Sequence, residues 1–204
     1  MSQSSNEQMR LFYGIYIPQH LRGIMGDVQK GLAKSHCSVK WVEAENIHIT
    51  LRFIGDTPQS RVSEYADAGR RAASTCMPFD MELCGVGAFP HPKRPKTLWV
   101  GVGEGAAGVK TVYERLSEVL ENSGLAESED RPYVPHCTVG RVRSSRNIGR
   151  LTTILTRAED ADIGTMRCDG FTLIASKLSS SGPTYTPLER FVLGENADET
   201  TEES

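Results

Sequence analysis

One four-residue phrase occurs twice and limits what the rest of the chain can be. His48-Ile49-Thr50-Leu51 lies within Asn46-Ile47-His48-Ile49-Thr50-Leu51-Arg52-Phe53, and His136-Cys137-Thr138-Val139 follows Pro135. Each copy reads His, apolar, Thr, apolar. In a strand, successive side chains point to opposite faces, which puts His48 and Thr50 on one face and Ile47, Ile49, Leu51 and Phe53 in a core. His136 and Thr138 share a face in the same way, with Cys137 and Val139 buried. Two such strands side by side bring two imidazoles and two hydroxyls into one cleft. That set suits phosphoryl chemistry, because one His accepts a proton while the other donates one, and Thr hydroxyls hydrogen-bond phosphate oxygens. Either histidine alone reads as a satisfied group on a half-buried strand; the pair reads as an acid and a base.

The elements around the two copies repeat. Arg10 to Ile17 reads as a strand stopped by Pro18, and Leu21, Ile24, Met25, Val28 and Leu32 then fall at helical spacing. A short extended piece, Val39 to Val42, precedes the first motif strand, Asn46 to Gly55, and a helix runs on to about Ser74. The second half follows the same order: a strand from Phe79 to Ala88, the Pro-rich basic loop 89–96, a strand from Thr97 to Val102, and a helix marked by Val109, Val112, Leu116, Val119 and Leu120. After the acidic loop Glu127 to Asp130, the second motif strand spans Tyr133 to Val142. A helix over 147–157 and strands at Phe171 to Leu178 and Tyr185 to Leu193 complete the pattern. Residues 1–9 read as a loose polar start, 10–194 as one catalytic domain of two lobes, and 195–204 as an acidic disordered tail.

With these flanks, the paired motifs resemble those of the 2H phosphoesterase superfamily, and within it the RNA 2',3'-cyclic phosphodiesterases, also called 2'-5' RNA ligases. The resemblance runs from about Arg10 to about Leu193. It takes in Arg10-Leu11-Phe12 with Pro18, the stretch from Asn46 to Gly55, Leu98-Trp99-Val100-Gly101, Arg131-Pro132-Tyr133 with Pro135 to Val139, and Gly182-Pro183-Thr184-Tyr185-Thr186-Pro187-Leu188. It implies an α+β, bilobal fold in which two pseudo-twofold-related lobes, with antiparallel sheets and outer helices, form a central cleft. It also implies that His48 is the general acid protonating the leaving 3'-oxygen and His136 the general base activating water, giving a 2'-phosphate. Thr50 and Thr138 would then hold phosphate oxygens. No metal and no cofactor are needed for that chemistry. A reverse 2'-5' ligation of tRNA halves is part of the same implication, but no nucleotide-activating motif is visible, so hydrolysis is the expected direction.

Arg141, five residues past His136, is a candidate phosphate clamp. Strict alternation puts it on the wrong face, so that role requires a bulge or strand end at Gly140. Phe12, Tyr13 and Tyr185 are candidate platforms for a base, and Gly14 on the face of Phe12 would leave room for a ligand. Arg52 shares parity with His48 and Thr50. Gly103-Glu104-Gly105-Ala106-Ala107-Gly108 fits a dinucleotide-binding fingerprint, but no run of parallel βαβ units surrounds it, and a plain strand-to-helix turn is the expectation.

Composition narrows the partners. A formal net charge of −3 excludes wholesale attraction to nucleic acid, so RNA contact must come from a local patch, and Lys93, Arg94 and Lys96 are a candidate for steering RNA ends. The five cysteines are odd in number and hold no Cys-x-x-Cys, which argues against a disulfide framework and a zinc site. The start lacks a signal pattern and no apolar run approaches a membrane span. The expected protein is a cytoplasmic monomer acting on RNA with a 2',3'-cyclic phosphate end, tRNA fragments among them. Two other readings use the same cleft: a phosphodiesterase on small cyclic nucleotides or 2'-5' linkages, and a non-catalytic nucleotide- or RNA-binding module. Binding alone does not need a matched acid and base.

Overall fold

The computed structural model describes residues 7–178 and 182–195. Nearly all of the acidic tail and most of the polar start lie outside the described residues. The first strand, β1 (Gln8–Tyr16), begins two residues earlier than its apolar pattern suggests. It is followed by α1 (Gln19–Ala33), β2 (Val39–Trp41), β3 (His48–Pro58), α2 (Val62–Ser74), β4 (Phe79–Phe89), β5 (Thr97–Val102) and α3 (Ala106–Asn122). Then come β6 (His136–Val142), α4 (Ile148–Arg157), β7 (Asp162–Cys168), β8 (Gly170–Leu178) and β9 (Pro183–Val192).

These strands form one continuous sheet in the order β7-β4-β5-β6-β3-β1-β8-β9, with β2 pairing on β6. All of the described pairings are antiparallel. Its two halves meet where β3 touches β6, and the ladder there consists of one residue pair, Ile49 with Cys137. Both side chains are fully buried. The lobes are therefore joined through the apolar positions of the two motifs, which leaves the His and Thr positions on the opposite, open face.

Helices cover the buried face. α2 packs on β8 and β9 and against α3, whereas α1 packs on β6 and β7 with α4 beside it. In α1 the stripe is narrower than the spacing suggests: Leu21, Met25 and Leu32 are buried, but Ile24 is 41% exposed. The α2 face is built from Ala66, Ala68, Ala72 and Ala73, small residues that let the helix approach the sheet closely. Gly69 is part of that fit, because a Cβ there would stand 2.5 Å from the Phe191 ring.

The glycine-rich turn before α3 is structural. A Cβ on Gly103 would meet Cys84 Sγ at 2.5 Å, one on Gly105 would meet the Asp80 carbonyl at 2.4 Å, and one on Gly108 would meet the Phe79 ring at 2.6 Å. The chain's own atoms fill the space a pyrophosphate would need. The five cysteines are free thiols, and among the described residues no helix is long and apolar enough to cross a membrane.

Candidate active site

The two motif strands carry the same irregularity at the same place. Against β1, Thr50 pairs with Gly14 and Arg52 with Tyr13, so Leu51 is an extra residue. Against β5, Thr138 pairs with Trp99 and Gly140 with Leu98, so Val139 is the extra residue. An extra residue of this kind turns two successive side chains to one side and reverses the alternation beyond it. Leu51 and Arg52 consequently both go inward, and so do Val139 and Gly140.

The residue five past each histidine then returns to the cleft face: Phe53 in one lobe and Arg141 in the other. This corrects two expectations from strict alternation. Phe53 is 55% exposed rather than in the core, and Arg52 is 3% exposed rather than beside His48. Arg141 does reach the cleft, by the bulge its role required.

Extending the Ile49–Cys137 register by one residue each way sets His48 across from Thr138 and Thr50 across from His136. The two histidines are held alike. His48 Nδ1 lies 2.7 Å from the Asn46 carbonyl and His136 Nδ1 lies 2.7 Å from the Val134 carbonyl, in each case two residues upstream. A carbonyl only accepts, so each Nδ1 carries a hydrogen and donates it, which leaves Nε2 as the atom that exchanges protons. His48 Nε2 is 3.0 Å from Thr50 Oγ1.

Burial is the main cause that holds both imidazoles below the ordinary histidine pKa. Beyond burial, His48 is lowered further by the charge of His136, and His136 by the guanidinium of Arg141. A fixed cation therefore stands near one histidine, and the matching position in the other motif is Phe53.

Aromatic rings support each imidazole. Phe12 and Tyr185 flank His48 at centroid distances of 4.8 and 5.3 Å and touch each other at 5.1 Å. Phe12 is only 3% exposed, so its ring backs the imidazole more than it offers a face to a base. Gly14 serves the same contact: a Cβ there would stand 3.2 Å from His48 Cδ2, so the space expected for a ligand belongs to the histidine. Tyr13 is a core residue whose hydroxyl donates to the Tyr65 carbonyl at 2.7 Å. Around His136 stand Phe89 at 4.9 Å and Trp99 at 6.5 Å, two residues the sequence reading did not single out as site groups. Trp99 shares parity with Thr97 and Gly101 on its strand, and that parity was the available signal.

A cavity of about 630 Å³ opens on this face, within the range typical of small-molecule sites. His48, Thr50, Thr138, Arg141, Phe12 and Tyr185 all line it. His136 is not among the lining residues; it sits across the seam, with its ring against Phe89 and Trp99. Lys40, Arg143 and Arg10 add positive charge to the walls, and Glu43 is the one carboxylate among the described lining residues.

The LigT like Phosphoesterase family model matches residues 15–99, which include the first His-x-Thr strand. A Methanothermobacter thermautotrophicus protein named RNA 2',3'-cyclic phosphodiesterase is 31% identical over 186 residues, covering 91% of this chain and all of that protein. This chain belongs to the LigT-like phosphoesterase family. An Aeropyrum pernix member of the same name is 34% identical over 166 residues, or 81% of this chain and 93% of that one. The crystal structure of TT0787 of Thermus thermophilus shares the fold with a TM-score of 0.76 and 28% identity, covering 91% of this chain and 98% of that one.

Proposed function

We propose that this chain hydrolyses RNA 2',3'-cyclic phosphate ends to 2'-phosphates, with His48 as general acid and His136 as general base. The observation that carries the reading is the shared Nδ1–H to carbonyl hydrogen bond, which leaves both Nε2 atoms for proton exchange on either side of one seam. The names of the LigT-like relatives support the substrate class.

Hydrolysis needs a water deprotonated on one side of phosphorus, an alkoxide protonated on the other, and donors for the equatorial oxygens. Arg141 disfavours the His136 cation, which keeps that imidazole neutral and so free to accept a proton in the base role. His48, whose motif carries Phe53 where the other carries Arg141, gives its Nε2 proton to the leaving 3'-oxygen. Thr50, Thr138 and Arg141 supply hydrogen bonds and charge to the phosphate oxygens. Every role is filled by a side chain, so the reaction proceeds without metal. Reverse ligation, tRNA fragments as natural substrates, a monomeric state and a cytoplasmic setting belong to the same reading.

The test is incubation of the purified protein, in chelator, with a short RNA ending in a 2',3'-cyclic phosphate. A 2'-phosphate product is expected. A 3'-phosphate product would reverse the proposed direction. Turnover of small cyclic nucleotides alone would favour the narrower phosphodiesterase, and no turnover of either would leave a binding module.

A further inference from the structure

A second groove, of about 560 Å³, lies beyond the candidate active site and is lined by Lys93, Arg94, Lys96, Arg143, Ser144 and Ser145, among others. Among the described residues, no carboxylate lines it. Arg143 also lines the candidate active-site cavity, so the two depressions share a wall. Lys40 and Arg141, paired across β2 and β6, extend the positive charge into that cavity.

The cations along this groove stand without carboxylate partners, unlike several arginines elsewhere. Arg10, Arg61, Arg70, Arg115, Arg167 and Arg190 each form an ion pair with a carboxylate. Among the described residues, no ion pair involves Lys40, Lys93, Arg94, Lys96, Arg141 or Arg143. In a protein with a net charge of −3, gathering like charges without counter-ions raises their mutual repulsion, and a polyanion relieves it.

The loop that carries three of these cations is held in shape. Lys96 N–H donates to the Phe89 carbonyl at 2.7 Å, Arg94 N–H to the His91 carbonyl at 2.8 Å, and Lys93 N–H to His91 Nδ1 at 3.1 Å. Two further bonds tie the loop to its neighbours: Val142 N–H donates to the Lys96 carbonyl at 2.9 Å, and Thr152 Oγ1 to the Pro92 carbonyl at 2.9 Å. The ammonium and guanidinium groups are thus presented from a preorganised backbone beside β6.

We propose that this groove is a track for the phosphodiester backbone of single-stranded RNA on the 5' side of the terminal cyclic phosphate. The proposal rests on the hydrolytic reading of the cleft. A cyclic phosphate occupies the 3'-terminal nucleotide, so the rest of the strand leaves in the 5' direction only, past Arg143 and over Lys96, Arg94 and Lys93. Phosphate contacts of this kind favour chains of several nucleotides over a cyclic mononucleotide without reading base sequence.

The experiment compares wild type with the Lys93→Ala/Arg94→Ala/Lys96→Ala triple variant on 2',3'-cyclic AMP and on a hexanucleotide ending in the same cyclic phosphate. These three side chains are exposed and lie outside the candidate active-site cavity. For the hexanucleotide, kcat/KM should fall about tenfold in the variant, and its log–log dependence on salt should become shallower by about 2, from three lost contacts at roughly 0.7 each. The mononucleotide should react equally with both proteins. A hexanucleotide rate that does not change, or that falls in step with the mononucleotide rate, overturns the track. The affinity of a fluorescent hexanucleotide with a 2'-phosphate end separates the track from the chemistry. If wild type turns over neither substrate but the variant binds this probe about tenfold more weakly, the track stands and the hydrolytic reading fails. Unchanged probe affinity, whatever the turnover, also counts against the track.

Discussion

The Tyr133 hydroxyl donates to the Thr50 carbonyl across 2.9 Å, fastening the segment that enters one motif strand to the backbone of the other. The Tyr133 ring stacks on Tyr113 of α3 at 4.0 Å with an interplanar angle of 6°. Arg52, two residues past Thr50, grips the same segment through a hydrogen bond to the Glu127 carbonyl and an ion pair with Glu129 at 3.4 Å. Tyr133→Phe keeps the stack and deletes one half-buried hydrogen bond. We expect a stability loss of about 1 kcal/mol by thermal melting. A fall in kcat of about threefold with KM unmoved is also expected, since about 0.7 kcal/mol of misplacement suffices for that. A change in melting temperature with kcat intact would make the bond purely structural.

Arg52 itself separates packing from charge. Its side chain is buried, Nε and Nη1 find no hydrogen-bond acceptor, and the carboxylates of Glu121 and Glu129 that it faces are partly open to water. Those carboxylates lose little when the guanidinium is removed, so the cost lies in the cavity left behind. Arg52→Ala should destabilise by about 2–4 kcal/mol and Arg52→Met by distinctly less, measured by urea unfolding. Equal losses in the two variants would assign the energy to the polar contacts, the ion pairs together with the Glu127 hydrogen bond.

If His48 and His136 are the acid and base, replacing either by Ala should lower kcat by about 10²–10⁴ with the fold retained. Thr50→Ala or Thr138→Ala removes one phosphate donor and should cost about tenfold. Single-turnover rates on the cyclic-phosphate RNA, with circular dichroism as the fold control, give the comparison. Near-normal activity in either histidine variant would sink the mechanism.

The pH profile follows from the same groups. Both imidazoles are lowered from the ordinary value near ~6.5, chiefly by burial. The base must be neutral and the acid protonated, so both limbs of kcat/KM should lie on the acid side of that value. Arg141→Gln removes a cation that lowers His136, so the His136 pKa should rise and the acid limb should move to higher pH, while Arg141→Lys should move it less. An NMR titration of His136 in the free protein reads this shift directly, and a shift in the opposite direction would refute the electrostatic role. Stability has its own sign. Below the unfolded-state value near ~6.5 the unfolded chain takes up protons that the folded imidazoles refuse, so stability contributed by these neutral histidines is complete above ~6.5 and is lost as pH falls.

The pairing of the motifs, the shared face of each His with its Thr and the strand-helix repeat were legible because a period of two on one strand face is a local signal. The bulges were not. Leu51 and Val139 become extra residues only against β1 and β5, and no residue type at either position announces it. That missing information misplaced Arg52 and Phe53, and it made Arg141 conditional. β7 went unread for a related reason: it is an edge strand with Gly164 at φ 126° and alternating exposure, and its pairing with β4 supplies most of its order. Phe89 was missed because it read as the first residue of the Pro-rich loop rather than the end of β4, and Trp99 because its parity with Thr97 and Gly101 does not say which side chain on the neighbouring strand it meets.

The glycines behind the two histidines offer the last test. A Cβ on Gly87 would stand 2.2 Å from Trp99 Cζ2, far inside contact distance, so Gly87→Ala must displace the indole beside His136. A Cβ on Gly14 would stand 3.1 Å from the Ile49 carbonyl and 3.2 Å from His48 Cδ2, a milder crowding that acts on the other imidazole. Overpacking of this kind costs about 1–3 kcal/mol. We expect Gly87→Ala to lower both the melting temperature and kcat, and Gly14→Ala to lower kcat with a smaller thermal effect. Gly23 in α1 is the contrast, because nothing lies within 4 Å of a Cβ there. Gly23→Ala should stabilise the helix by about 0.5–1 kcal/mol and leave kcat alone. If Gly87→Ala destabilises as expected yet keeps full activity, the aromatic packing around His136 supports the fold without setting the position of the base.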